Sequence, residues 1–220
     1  MIVLDRDHSE EATHGQQELT FYNHPYGNHC DLPLFLFEGL SGKWITAVLR
    51  PGQRPTGKEN AAIIKRVLRL LRQSWPETPI MLRGDGHFSN SERRAWCESD
   101  PHLDFLFGLA GHKGLSPKAE PLLEKARALH QTQCANARRL GNAAPEATRR
   151  YDDIEDQAGS WPKADRVVVK AEGMALGDHP RYVVTSLTDP TPDGLYKELY
   201  CARGQDEIDQ PYNLHKSHLI

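Results

Sequence analysis

Long hydrophobic runs are what this 220-residue sequence most plainly lacks. No stretch approaches the roughly 20 apolar residues that cross a bilayer, so neither an integral membrane protein nor a membrane partner is expected. The N-terminal Met1 to Asp7 has no basic leader followed by an apolar core, so no secretory signal is expected either. Cysteine is sparse. Cys30, Cys97, Cys134 and Cys201 form no C-x-x-C pair, which speaks against a zinc knuckle or a thioredoxin-like motif. A disulfide framework is not expected, and the four read as inert thiols in or near the core. An excess of positive charge is also missing: 27 Lys and Arg face 30 Asp and Glu, for a net charge of -3. That argues weakly against a protein that coats nucleic acid. No phosphate-binding G-x-x-x-x-G-K-[ST] loop and no H-E-x-x-H or H-x-H spacing is present. With 38% hydrophobic and 26% charged residues, the composition is that of a globular protein, and a cytoplasmic location is expected.

The charge that is present comes in blocks. Residues 1–49 carry Asp5, Asp7, Glu10, Glu11, Glu18, Asp31 and Glu38 against only Arg6 and Lys43. From Arg50 to Arg94 the bases dominate, and residues 171–220 are acidic again. A basic block between acidic ones suits a polyanion track beside a cation-binding cluster; solvated helix faces would give the same pattern.

The apolar pattern predicts an α/β chain. Ile2-Val3-Leu4 reads as a buried strand ending at Asp5-Arg6-Asp7. Leu32 to Phe37 and Lys43 to Leu49, joined by Glu38-Gly39-Leu40-Ser41-Gly42, read as an antiparallel hairpin. Thr56-Gly57-Lys58-Glu59 has capping-box spacing before a helix whose apolar face is Ile63, Ile64, Val67, Leu68, Leu71 and Trp75. Pro79 to Arg83 is the next strand, a short helix is expected from Ser89 to about Ser99, and Leu103 to Leu109 is a fifth strand. Leu115 to Leu140 reads as helix and Asn142 to Pro162 as loop. Arg166 to Lys170 and Arg181 to Leu187 read as strands joined through Gly173 to Pro180. After the breaker Pro190 to Gly194, the residues Leu195, Tyr196, Leu199, Tyr200 and Arg203 have helical spacing.

Three acids stand where backbone geometry would hold them. Asp7 ends the first strand, with Asp5 on the same face by alternation. Asp85 follows a strand and is flanked by Gly84 and Gly86, which would let a metal or phosphate come close. Tyr200, Arg203 and Glu207 are spaced i, i+3, i+7, one face of a helix. Clustered carboxylates repel unless a cation joins them, and carboxylate oxygens suit Mg²⁺. Two such ions can activate a hydroxyl and stabilise the leaving oxygen of a phosphodiester. Each acid alone is also an ordinary helix cap or turn residue, and His14 and His87 read as polar neighbours of the acids.

Asp5-Arg6-Asp7-His8-Ser9 with Thr13-His14-Gly15-Gln16-Gln17, then Leu82-Arg83-Gly84-Asp85-Gly86-His87-Phe88, then Tyr200-Cys201-Ala202-Arg203-Gly204-Gln205-Asp206-Glu207, resemble the three signatures of bacterial insertion-sequence DDE transposases. The likeness is to the DDE domain group 1 type, with its Y-x2-R-x3-E signature. Glu38-Gly39-Leu40-Ser41-Gly42-Lys43, Leu49-Arg50-Pro51-Gly52 and Ala171-Glu172 are similar to it too. The resemblance runs from residue 3 to about 207. It implies an α/β, RNase H-like mixed sheet with flanking helices and a β-containing insertion between the second and third acidic residues. It implies that Asp7, Asp85 and Glu207 hold two Mg²⁺ ions, with Mn²⁺ as substitute, for DNA strand cleavage and transfer. Tyr200 and Arg203 would contact DNA, and the partners would be transposon ends and target DNA, with a dimer in the full-length family.

The expected division is a core over 1–110, an insertion over 111–190, a catalytic helix over 191–207 and a divergent tail over 208–220. The chain departs from the family pattern at its start inside the first strand, at Arg6 between the two aspartates, and after Glu207, where Ile208-Asp209-Gln210-Pro211 breaks the helix. A transposase truncated at both ends is therefore expected. The competing expectations are an inactive remnant that binds DNA through the basic face from Arg50 to Arg94, and an RNase H-like nuclease.

Overall fold

In a computed structural model that describes residues 1–15, 17–18, 20–53, 55–89, 96–157, 161, 163–175 and 177–203, the chain divides into two units. The first comprises Met1–Asp104 with Arg203–Ile220, and the second Phe105–Ala202.

The first unit opens with β1 (Ile2–His8). Its Val3, Leu4, Asp5 and Arg6 are all buried, which requires cover on both faces of the sheet. Next come β2 (Glu11–Ala12), β3 (Phe21–Asn23) and β4 (Asn28–Asp31), which pair into a separate sheet of order β2-β4-β3. The sequence reading assigned no strands here, because elements of two to four residues leave no periodicity to detect. The expected hairpin is β5 (Leu34–Glu38) and β6 (Lys43–Val48), antiparallel and with a register shift at Leu36/Phe37.

Thr56 caps α1 (Gly57–Ser74), and its capping box is complete: the Thr56 side chain accepts from the Glu59 amide while Glu59 reaches back to the Thr56 amide. The buried face is narrower than the pattern suggested. Ile64 and Leu68 are buried with Asn60, Ile63, Val67 and Leu71 are half-buried, and Trp75 is exposed. Arg50 explains Asn60: its guanidinium donates to the Asn60 side-chain oxygen at 2.6 Å inside the core. Then β7 (Ile80–Gly84) lies parallel to β1. The short helix expected after Ser89 falls largely on residues 90–95, outside the described residues.

The sheet order of the first unit is β6-β5-β1-β7. The Ile80 amide donates to the His102 carbonyl at 2.9 Å, which sets the first residues of β8 (Leu103–Leu109) alongside.

In the second unit, α2 (Leu115–Arg139) lies on β9 (Ala147–Asp156) and β10 (Asp165–Met174). Gly173 permits the close approach. A Cβ there would meet the backbone of Ala126 at 2.8 Å. The remaining strand, β11 (Gly177–Thr185), completes an antiparallel order β8-β11-β10-β9. Two sequence expectations are corrected. The stretch Asn142 to Pro162 is not all loop, for it contains ten-residue β9. This strand is rich in charge and is held by its ladder to β10 and by cross-strand ion pairs such as Arg149–Glu172 at 2.7 Å. It is an edge strand, where charge is normal and apolar alternation is weak. Nor does a loop run from Gly173 to Pro180. Both residues lie within the β10–β11 ladder, which closes at Met174 opposite Gly177.

Thr191 caps α3 (Pro192–Gly194), which passes into a π-helical segment, Leu195–Tyr200, where the Cys201 amide donates to the Tyr196 carbonyl. Among the cysteines, Cys30 and Cys97 are buried as expected, but Cys201 is exposed. No helix among the described residues is long and apolar enough to cross a membrane.

Candidate active site

Register builds the site. In the parallel pair β1–β7, Asp5 stands opposite Arg83 and Arg6 opposite Gly84. One step further along both strands come Asp7 and Asp85, so two acids 78 positions apart emerge side by side at the same end of adjacent strands. Parallel pairing is what does this, because it carries like ends of two strands to one edge.

Beneath them, Asp5 is committed elsewhere. Arg83 Nε and one terminal nitrogen donate to its two oxygens, both at 2.6 Å, and both residues are buried. Gly39 leaves the room for this pair, since a Cβ there would run into the Asp5 carboxylate. Asp5 therefore shares a face with Asp7, as alternation required, but serves as an internal anion. Arg6 is buried too, with its guanidinium 4.5 Å from the centre of the Phe88 ring.

The two exposed-end acids differ electrostatically. Burial and the neighbouring Asp85 push the Asp7 carboxyl up to about 6, against the lowering effects of the His8 amide, Arg203 and His87. Its Oδ1 accepts from the His8 amide at 2.8 Å. Asp85 is also subject to burial, but hydrogen bonds from His87 outweigh it and leave its carboxyl below the ordinary range. The His87 amide donates to Asp85 Oδ1 at 2.9 Å, and His87 Nδ1 lies 2.7 Å from Oδ2. Asp85 thus caps the 3₁₀ turn Gly86–Phe88. His8 stacks on Phe88 with ring centres 4.8 Å apart, and burial drives its imidazole down to about 4, so it is neutral at pH 7.

The structure accordingly brings Asp7, Asp85, His87 and Arg203 into one electrostatic neighbourhood. His14 lies exposed beyond β2. Tyr200 belongs to the second unit, where its ring centre is 5.4 Å from that of Tyr196. The α-helical i, i+3 relation between Tyr200 and Arg203 is corrected, because the regular helix ends at Tyr200 and its last turn is π-wound. Glu207 lies outside the described residues. Among the described residues no group of three His, Cys, Asp or Glu is placed to hold a metal ion. The residues present still fit one. An ionised Asp85 beside an Asp7 whose carboxyl it pushes upward, with Asp7 Oδ2 carrying no hydrogen bond among the described residues, makes a donor set that a divalent cation would relieve.

Beside the acids opens a cavity of about 390 Å³, walled by Asp7, His8 and Asp85 and by Tyr22, Asn23 and Tyr26. The sequence reading missed this wall. Its one signal was the density of rings between Phe21 and His29.

A sheet of order β6-β5-β1-β7, with aspartates at the same end of its adjacent parallel strands β1 and β7, is consistent with an RNase H-like fold. Residues 1–211 match the family described as transposase DDE domain group 1, and the chain belongs to that family. Among solved structures it is similar to piggyBac transposase, seen by cryo-EM in a synaptic complex with hairpin DNA. The TM-score is 0.52 at 12% identity, with 94% of this chain and 39% of that one covered. No curated protein matches the chain significantly. The family generally uses divalent metal ions, and transposases act on DNA.

Proposed function

We propose that this chain performs metal-dependent DNA strand cleavage and transfer during transposition of an insertion sequence. The observation that carries the reading is the register that sets Asp7 beside Asp85, with Arg203 close enough to lower the pKa of both. Asp7 and Asp85, joined by Glu207, are the residues that would hold two Mg²⁺ ions, with Mn²⁺ as substitute. When bound, the ions supply Lewis-acid activation of the attacking hydroxyl and charge neutralisation at the phosphodiester. The chain's own part is positional. The His8 amide fixes one Asp7 oxygen, and His87 holds the Asp85 carboxylate ionised and aimed. Arg203, with Tyr200, would contact the phosphate near the cut, a charge-assisted role that suits a guanidinium.

The core over 1–110 would carry the chemistry, the segment 111–190 would be the insertion, 191–207 the third-acid helix and 208–220 a divergent tail. Assembly as a dimer on transposon ends and target DNA, in the cytoplasm, completes the proposal.

A nicking assay on supercoiled DNA with Mg²⁺ or Mn²⁺ tests it. Wild type should nick and Asp85→Ala should not. Absence of nicking by the wild type overturns the enzyme reading, and retained DNA binding in that case would leave a DNA-binding remnant. Nicking of any DNA with no preference for insertion-sequence ends would instead indicate an RNase H-like nuclease.

A further inference from the structure

The cavity beside the two acids is a built space. The Gly27 amide closes the turn after β3 by donating to the Asn23 carbonyl at 2.8 Å. The Asn23 side-chain nitrogen then donates to the Gly52 carbonyl at 2.7 Å, which fixes the turn to the stretch before α1. Gly52 itself cannot carry a side chain, since a Cβ would collide with the Cys30 carbonyl. On this frame the rim is aromatic. Tyr22 sits edge-on to His24 and to His29, with ring centres 5.1 and 5.3 Å away. Tyr26 lines the same cavity, near enough for Asp7 and Asp85 to act on its hydroxyl.

The wall of the cavity holds buried polar atoms without a hydrogen-bond partner among the described residues. Asn23 is 8% exposed and its Oδ1 has no hydrogen-bond partner among the described residues. Neither ring nitrogen of His8 has one. Buried polar groups are almost always satisfied, so atoms left without partners along a cavity wall point to a ligand that supplies hydrogen bonds. The described lining residues include no Lys or Arg, and their character is aromatic and polar. Its volume falls within the roughly 300–1,000 Å³ of ligand sites. What combines a flat π-face for tyrosine rings with an edge of N–H donors and ring acceptors, and arrives attached to a phosphodiester, is a base out of its stack.

We propose that this cavity, formed by Tyr22, Tyr26, Asn23 and His8, receives a single unpaired nucleobase of the DNA strand whose phosphodiester lies at Asp7 and Asp85. The inference rests on the DNA-cleavage reading above. Tyr26 and Tyr22 stack on the base, and Asn23 Oδ1 accepts from an N–H on its edge. The carboxylates are thereby presented with a backbone splayed away from the duplex.

Equilibrium binding with Ca²⁺ tests this on two duplexes that differ at one position, one carrying an unpaired nucleotide and the other an abasic residue there. Wild type should prefer the base-bearing DNA by about tenfold, the order of one base–aromatic stack. Tyr26→Ala should reduce the preference to within about twofold, and Tyr26→Phe should keep it. Tyr22 and Tyr26 are 49% and 47% exposed, so the fold tolerates these changes. If Tyr26→Ala nonetheless fails to melt cooperatively, Tyr22→Leu takes its place with the same expected loss. Equal affinity of wild type for both duplexes, while wild type still nicks DNA in Mg²⁺, overturns the base seat and leaves the cleavage reading standing. Neither binding nor nicking overturns both.

Discussion

Asp5 and Asp7 point to the same side of β1, yet the sheet assigns them different tasks. Asp5 has Arg83 in two short hydrogen bonds and is sealed from water. Removing one partner strands the other charge, so Asp5→Ala should cost about 3–5 kcal/mol, while Asp5→Leu with Arg83→Met should cost far less. Urea denaturation of the three proteins checks this, and an additive double variant would show the pair to be uncoupled. Asp7 has no such partner among the described residues, and the fold favours its neutral form, with a pKa of about 6 against 3.8 for the free side chain. For an acid shifted upward, the associated stability is fully present below the unfolded value and is lost as pH rises through the folded one. In EDTA the protein should therefore melt lower at pH 8 than at pH 5, as far as this group is concerned. Asp7→Asn should recover on the order of 1–3 kcal/mol at pH 8 and little at pH 4. Mn²⁺ should raise the wild-type melting temperature more at pH 8 than at pH 5, because cation and proton compete for the same carboxylate. The Asp7→Asn protein should show no such rise. A variant that melts in EDTA at pH 8 no higher than wild type would contradict the assignment.

Among the elements, the clearest dependence on a single atom is where β10 passes under α2. At Gly173 an added methyl would meet the carbonyl carbon, the oxygen and the next amide of the helix backbone, none of which can rotate aside. Gly173→Ala should destabilise the second unit by about 1–3 kcal/mol through overpacking, read as a lowered melting temperature. Such tertiary contacts are also what the sequence could not show. The β5–β6 hairpin, β7 and α1 were legible because their signals are local: turn residues, an apolar run and a capping box within four residues. The strand β9 was not, because its stability lies in pairing with β10 and in ion pairs to Glu172 and to Arg166, none of which leaves a mark in its own composition. The same distinction holds at the site. Asp7 and Asp85 could be found as acids at strand ends. The role of Asp5 depends on an arginine 78 residues away, and the cavity wall depends on a three-stranded sheet too short to leave a pattern.

For the molecule as a whole, a net charge of -3 says little about attraction to DNA, because many charges are already matched inside the fold. Asp5, Asp100, Asp156, Glu172 and Asp178 each meet a basic side chain. Part of the basic block from Arg50 to Arg94 is equally occupied. Arg50 binds Asn60 and Arg83 binds Asp5, while Arg72 ties the end of α1 to the Thr78 and His102 carbonyls and to Asp100. These three cannot form the DNA track expected of the block. The exposed bases of α1 are Lys58, Lys65, Arg66 and Arg69, of which Lys58, Lys65 and Arg69 are spaced i, i+7, i+11 and hence on one stripe, roughly 16 Å from end to end. A stripe of that length can follow a DNA backbone. Each phosphate it neutralises adds about 0.9 to the slope of log affinity against log salt. Replacing all three with Gln should therefore flatten the slope by up to about 2.7, while leaving the Asp5–Arg83 core pair untouched. Asp85→Ala should leave the slope as it is, since an acid at the strand end contributes no released counterion. An unchanged slope in the triple variant would move the phosphate contacts off this stripe and leave the DNA to be held by Arg203 and by basic side chains elsewhere.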